Sequence, residues 1–408
     1  MKIALVAHDG SPLSPQASQE PVSQAASIGS HAQALARLGH RVTIYARRDS
    51  RGLPGSAILA PGVTVEHVAA GRPAPLADDE LAGTVAGFSD YLAQRWHRTP
   101  PGVVHAYFWL SGLAALAAVR DLGVPLVLTF GTLGGPRPAD DCADHSHDTR
   151  IRLEAHLARS ADAVLARTAE DASQLARMGA PRACLTVVPC GVDTGMFTPE
   201  GPVARKNGRP RLLAVAPPGE QHGSGILVHM LARVPGAELM IAGWPSGPGQ
   251  AAQRSQDDVC QELIRLARRL GVADRLAFAG RVPAERFPAL LRSADLLVSA
   301  APSDHIATIA LAAMACGTPV AALAAGGSAD AVLDGTTGVL VPPGRVGLFA
   351  RRVRDLLASP LRLEAFGIAA ADRAQARYSW DRISRETLAV YEQCLRPAVA
   401  SLTGAGSG

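Results

Sequence analysis

Residues 299–327 read SAAPSDHIATIALAAMACGTPVAALAAGG, and this stretch decides the fold. The apolar run at 295–300 predicts a buried strand, and the alanine-rich residues 307–316 predict a helix that Gly317 ends. A second apolar run at 320–324 predicts another strand, after which Gly326 and Gly327 open a helix and permit close backbone approach. Two helix N-termini at strand ends suit an anion such as a diphosphate, although ordinary α/β packing produces the same pattern.

The composition restricts the class of protein. The 408 residues are enough for two domains, and 48% hydrophobic with 19% charged residues is typical of a folded globular protein. A net charge of +4 is too small an excess to predict nucleic-acid binding. Six scattered cysteines favour reduced thiols, and the sequence shows neither a signal-peptide pattern nor an apolar run long enough for a transmembrane helix. We therefore expect a cytoplasmic protein.

The second half of the chain repeats the pattern of the first. Residues 2–7 predict a buried strand, which is followed by a helix to Leu38 and a second strand at 41–46, so the two strands should be parallel. Residues 211–216, 226–233 and 237–243 repeat this order, and the Pro- and Gly-rich residues 197–210 between the halves predict a linker. The chain lacks the Gly-x-Gly-x-x-Gly dinucleotide fingerprint after its first strand. We predict an α/β fold with two doubly wound, Rossmann-like domains facing across a cleft.

Four motifs carry a resemblance to a known family. They are A-M-A-C-G at 313–317, P-V at 319–320, G-G at 326–327 and V-V-P-C-G-V-D at 187–193. They resemble the retaining glycosyltransferases of family 4, which have the GT-B fold, and the actinobacterial, sucrose-phosphate-synthase-like branch in particular. The resemblance extends over residues 1–395. It implies an acceptor-side domain at 1–195, a linker at 196–210, a nucleotide-sugar-side domain at 211–375, a helix at 376–396 that crosses back, and a disordered tail at 397–408.

At five positions where the resemblance places the family's catalytic groups, this chain has other residues. Gly131 replaces a histidine that reaches the donor sugar, Pro217 replaces an arginine and His222 replaces a lysine. Asp304 and Ala312 stand where the family has two glutamates, the second of which holds the ribose. Because the arginine and lysine neutralise the leaving diphosphate, their loss removes the largest electrostatic contribution to such a transfer. The catalytic residues of this chain, if it has any, are therefore unknown.

The resemblance also implies contacts to a nucleotide sugar. The candidates are Ser23, Gln24, His105, His222, Arg281, Val282, Asp304, Ala307, Thr308, Ile309, Gly326 and Gly327. The family's first-loop Gly-Gly pair falls on Val22 and Ser23, whose side chains disfavour close backbone approach. The implied donor is a UDP-, GDP- or ADP-sugar, and we expect no metal and no other cofactor. Residues 140–148 have the residue types of a metal site but predict a mobile surface loop.

Three hypotheses for function follow. The favoured one is a weak or inactive pseudo-glycosyltransferase that acts as partner or regulatory subunit of an active homologue, since both cations and the ribose-binding glutamate are replaced together. A second is an active glycosyltransferase that uses substitutes such as Asp304, His222 and the Gly326-Gly327 pair. A third is an enzyme with an altered donor, for example one without ribose. They differ in whether a sugar nucleotide stabilises the fold and whether the chain co-purifies with an active homologue.

Overall fold

The computed structural model describes residues 1–14, 22–134, 145–215, 223–243, 250–301 and 307–396. Within these residues the first half of the chain forms an eight-stranded sheet. Its strands are β1 (Lys2–Ala7), β2 (Arg41–Arg47), β3 (Ser56–Ala60), β4 (Val63–Val68), β5 (Val103–Tyr107), β6 (Leu126–Thr129), β7 (Ala163–Ala166) and β8 (Leu185–Val187). Its helices are α1 (Gln24–Arg37), α2 (Asp78–Ala82), α3 (Val85–Arg98), α4 (Trp109–Val119), α5 (His145–Ser160) and α6 (Ala169–Arg177). The strand order is β3-β4-β2-β1-β5-β6-β7-β8, and only the β3–β4 pair is antiparallel.

The second half forms a six-stranded, all-parallel sheet in the order β11-β10-β9-β12-β13-β14. Its strands are β9 (Arg211–Val215), β10 (Glu238–Ala242), β11 (Leu276–Gly280), β12 (Leu296–Ser299), β13 (Val320–Leu323) and β14 (Gly338–Val341). Its helices are α7 (Ser224–Leu231), α8 (Gln250–Arg269), α9 (Phe287–Arg292), α10 (Thr308–Ala315), α11 (Gly326–Ala331), α12 (Val346–Leu357), α13 (Pro360–Tyr378) and α14 (Trp380–Leu395). The prediction of two Rossmann-like parallel sheets is confirmed.

One local prediction is wrong. Residues 145–148, read from their polar composition as part of a loop, form the first turn of α5. The rest of that sequence segment, residues 135–144, lies outside the described part of the chain. The helix begins earlier than expected because the apolar periodicity that reveals it starts only at Ile151, so the first turn carries no hydrophobic signal.

Helix α14 connects the end of the chain to the first sheet. It packs against α1, and its residues Ile383, Leu388 and Tyr391 are buried in the hydrophobic cluster that also contains strands β1 and β2. Immediately before this helix, Tyr378 accepts a backbone hydrogen bond of 2.8 Å from the N–H of Val192. The last helix is therefore part of the core of the first sheet, although it follows the second sheet in sequence.

A buried ion pair closes the amino-terminal edge of the second sheet. Arg211 Nε lies 2.7 Å from Glu238 Oε1, and both side chains are almost fully buried, at 4% and 6% exposure. The same guanidinium donates from Nη1 to Ser293 Oγ at 2.8 Å. This network satisfies two buried charges at the start of β9 and β10, at the opposite end of these strands from their carboxyl-terminal loops.

Candidate functional site

The carboxyl ends of the parallel strands in both sheets lead into loops that meet between the two sheets. The start of α6, just after β7, contacts α11, where the Ala169 N–H donates to Asp330 Oδ2 at 2.9 Å. In the opposite direction, the Gly326 N–H donates to Glu170 Oε2 at 3.2 Å. Ligands of open parallel sheets bind at this strand end, so this crevice is the candidate site.

Glu170 places a negative charge on the glycine turn for which the sequence predicts a diphosphate. Its carboxylate accepts from the backbone N–H of Gly326, the first residue of α11. A phosphate oxygen would need the same donor, so a diphosphate in the predicted position would have to displace this side chain. Gly327, the second predicted contact on this turn, is buried.

The first loop packs against an apolar cluster. Val22, where the resemblance places the family's first glycine, packs against the hydrophobic cluster that contains Cys190 and Val192 as well as Ala307 and Ala310. Ser23 caps α1, and its Oγ accepts from the Ala26 N–H at 3.2 Å. This loop therefore makes an apolar contact and a helix cap where the resemblance predicts a backbone contact to the donor.

Gln24 differs from the other first-loop candidates. Its side-chain Nε2 is buried and has no hydrogen-bond partner among the described residues. An amide with unused donors at a cleft-facing helix start is suited to a hydrogen-bonding ligand. It is the member of this loop that the geometry leaves available.

Phe108 fills the space next to Gly131. A Cβ added to Gly131 would lie 1.9 Å from Phe108 Cε1 and 2.4 Å from its Cζ. Phe108 itself, in the turn between β5 and α4, has φ 70° and ψ 162°, a region that is costly for a residue with a side chain. Thus Gly131, where the resemblance places the family's histidine, has no side chain, and an aromatic ring occupies the adjoining volume. No sequence pattern signals this contact.

His105 lies in the core of the first sheet. Its Nδ1 is 2.6 Å from the Tyr391 hydroxyl oxygen and its Nε2 is 2.8 Å from Thr129 Oγ1. Burial, with a smaller contribution from His31, holds the pKa of His105 well below its usual value, so the ring is neutral. Because both ring nitrogens are engaged within the protein, the geometry does not support His105 as a contact to a sugar nucleotide.

Helix α10 is buried and apolar where the resemblance places the family's second glutamate. Ala312 is fully buried, at 0% exposure, and offers only a methyl group. Ala307, just before the helix, has φ 51° and ψ 16°, and Phe108 and Ala307 are the only non-glycine residues with positive φ in the described part of the chain. Thr308 and Ile309, in the first turn, are half-buried. The strained turns before α4 and α10 both follow strand ends at the crevice.

The remaining candidates are divided between the end of β11 and segments that are not described. Arg281 is exposed and Val282 is half-buried against the apolar cluster of the second sheet. Pro217, His222 and Asp304 lie outside the described residues. Within the described residues, no group of three or more His, Cys, Asp or Glu side chains is arranged to hold a metal ion, and no helix is both long and apolar enough to cross a membrane.

Sequence reasoning missed Glu170, Asp330 and Phe108. The sequence around Glu170 does contain a signal for a helix start, because Thr168 caps α6 and acidic residues follow it. That signal predicts where the helix begins but not that the carboxylate reaches a glycine 156 positions away.

Comparisons with known proteins identify the relatives of this chain. The family described as Glycosyltransferase Family 4 matches residues 24–195, and the family Glycosyl transferases group 1 matches residues 206–373. The D-inositol 3-phosphate glycosyltransferase of Actinosynnema mirum is 36% identical over 382 residues, covering 89% of this chain and 90% of that protein. D-inositol 3-phosphate glycosyltransferase 2 of Catenulispora acidiphila is 34% identical over 381 residues, covering 88% and 87%.

Solved structures share the fold. The sucrose-phosphate synthase of Thermosynechococcus elongatus superposes with a TM-score of 0.82 at 24% identity, over 96% of this chain and 98% of that one. The HepE protein of Anabaena, in complex with UDP-glucose, gives a TM-score of 0.70 at 18% identity over 96% of this chain and all of that one. These likenesses confirm the predicted GT-B arrangement of the two sheets. Because its sequence relatives and the arrangement of its two sheets agree, the chain belongs to glycosyltransferase family 4.

Proposed function

We propose that this chain is a pseudo-glycosyltransferase of family 4, which acts as a partner or regulatory subunit of an active homologue. One observation carries the proposal: the Phe108 ring occupies the volume beside Gly131, so that any side chain there would collide with it. Family members place at this position the histidine that reaches the donor sugar. Here the group is absent and its space is used for packing.

The charges in the crevice support the same proposal. Transfer from a sugar nucleotide leaves a diphosphate, which needs cations or hydrogen-bond donors. Glu170 is an anion at the Gly326 N–H, and Ala312 contributes no polar group. Two like unit charges about 4 Å apart repel by about 4 kcal/mol at an effective dielectric constant of about 20, and solvent around the exposed Glu170 lowers this value.

An active glycosyltransferase with substitute residues or an altered donor is the second candidate. It is favoured by the identity of 36% to a D-inositol 3-phosphate glycosyltransferase over 89% of the chain, and by the unused donors of Gln24. For this candidate, the donor would be a UDP-, GDP- or ADP-sugar, as the UDP-glucose complex of a neighbour in fold suggests.

Thermal unfolding of the full chain against millimolar UDP-, GDP- and ADP-sugars separates the two candidates. An active family 4 enzyme in the same panel serves as the positive control. Because a ligand that binds the native state raises Tm by mass action, we expect a shift for the control and none for this chain. A clear shift together with a transferred sugar would refute the proposal.

A second experiment tests the partner role. This chain is co-expressed with an active family 4 glycosyltransferase from the same organism, and kcat/KM of that enzyme is measured with and without it. We expect co-purification and a changed kcat/KM. Independent migration of the two proteins with unchanged kinetics would leave no support for a regulatory subunit.

A further inference from the structure

A cavity of about 30 Å³ lies in the first half of the fold, beneath α1 and α14. The residues that matter in its lining are Ser27, His31, Tyr107, Arg167, Cys190 and Trp380. All of its lining residues come from the first sheet, its loops, α1 or α14, and none comes from strands β9–β14. It is therefore separate from the crevice contacts of Gly326 and Ala312.

Arg167 brings an unbalanced charge to this cavity. It follows β7, is only 7% exposed, and is the one charged side chain in the lining. Among the described residues it makes no hydrogen bond and no ion pair. Its positive charge acts to lower the pKa values of the neutral His31 and Tyr107 side chains and of the Cys190 thiol. A bound anion would balance this positive charge in a largely buried environment.

His31 supplies a second group directed to the same place. Its Nδ1 lies 2.6 Å from the Tyr107 hydroxyl oxygen, and its ring stacks on Trp380 with centroids 5.3 Å apart. Its Nε2 is buried and has no partner among the described residues. When the Tyr107 hydroxyl donates to Nδ1, the ring proton is on Nε2, which is then a donor in the lining of the cavity that also contains Arg167.

We propose that this cavity binds one small inorganic anion of the size of chloride, held by the Arg167 guanidinium and the His31 Nε2–H. The volume sets the scale, because it accommodates about two water-sized groups. The anion would join α1, the loop after β7 and α14, so it would stabilise the packing of the last helix on the first sheet.

Thermal unfolding of the full chain tests the proposal, with sodium chloride replacing sodium gluconate at constant ionic strength. We expect a saturable rise in Tm on the order of 5 °C for the native sequence. Arg167→Gln should lose this response and should be at least as stable as the native sequence in gluconate, because the variant no longer buries an uncompensated charge. Arg177→Gln, on the exposed face of α6, is the matched control and should keep the response.

Three results would overturn the proposal. The first is a native sequence whose Tm does not saturate with chloride, or responds more strongly to phosphate or sulfate. The second is an Arg167→Gln variant that is markedly less stable in gluconate, since this would show that Arg167 is already paired within the protein. The third, which does not depend on a variant that folds, is a crystal soaked in bromide without an anomalous peak between Arg167 and His31; a peak there would support the site.

Discussion

Gly131→Ala is expected to destabilise the fold through one identifiable collision. The new Cβ would lie 1.9, 2.4 and 2.7 Å from three ring carbons of Phe108, distances that no folded protein tolerates without movement. Phe108 cannot easily move away, because its backbone is already held at φ 70° between β5 and α4. Overpacking of this kind costs about 1–3 kcal/mol of unfolding free energy.

A double-mutant cycle isolates this contact. Phe108→Ala removes the ring but keeps the backbone conformation, and it loses part of the packing of a half-buried aromatic side chain. In that background, Gly131→Ala should cost less than about 0.5 kcal/mol, which corresponds to a coupling energy of roughly 0.5–3 kcal/mol. Gly55→Ala, in an open position without positive φ, controls for the general cost of replacing a glycine.

Urea denaturation followed by tryptophan fluorescence measures the four unfolding free energies. If Gly131→Ala were as costly without the Phe108 ring as with it, the glycine would be needed for another reason. The steric account of the site would then be refuted. A single Gly131→Ala variant with unchanged stability would refute it as well.

Further predictions concern the buried charges and the last helix. Arg211→Met should cost about 3–5 kcal/mol in urea denaturation, because it leaves Glu238 buried and unpaired, and a matched change at the exposed Arg177 should cost far less. Burial, with a smaller contribution from Arg167, lowers the pKa of His31 from 6.5 to about 3. Below pH 6.5 the unfolded chain therefore binds a proton at His31 that the folded chain does not bind. Stability should fall as the pH drops from 6.5 towards 3. His31→Leu should reduce the slope of the urea midpoint against pH. Gly191→Ala should cost about 1–3 kcal/mol, because its Cβ would lie 2.4 Å from the Trp380 ring, and unchanged urea stability would contradict this.

The sheet architecture could be predicted from the sequence because its central strands are buried on both faces. Strands such as β1, β9 and β12 are continuous apolar runs, and Gly317 marks the end of α10. The edge strand β3 is different, because it is only partly buried: Ile58 is 80% exposed, while Leu59 and Ala60 pack against the core of the first sheet. Such a segment carries a weaker pattern than a fully buried strand, so its position depends on pairing with β4 as well as on its own sequence.

The site could be predicted only in part. The absence of a charged or polar side chain at Gly131 and Ala312 is visible in the sequence, and the resemblance predicts that the family has such groups there. The contact between Glu170 and Gly326 is not visible, because it depends on how two sheets approach each other. Periodicity and capping rules describe each helix alone, and they carry no information about the partner of an exposed carboxylate in a distant loop.

The replacements in the crevice are coupled in space, and this decides how the site could change. A site that had only lost its catalytic groups would keep the volume that those groups used. Here the ring of Phe108 uses the volume beside Gly131, and Val22 packs on the apolar cluster around Ala307. Side chains in contact have non-additive effects on stability, so restoring one group without moving its neighbour adds a collision instead of a function. Under the proposed function, a return to the family's donor chemistry would therefore require paired changes at 108 and 131, and a change at 22 would disturb the apolar cluster on which Val22 packs.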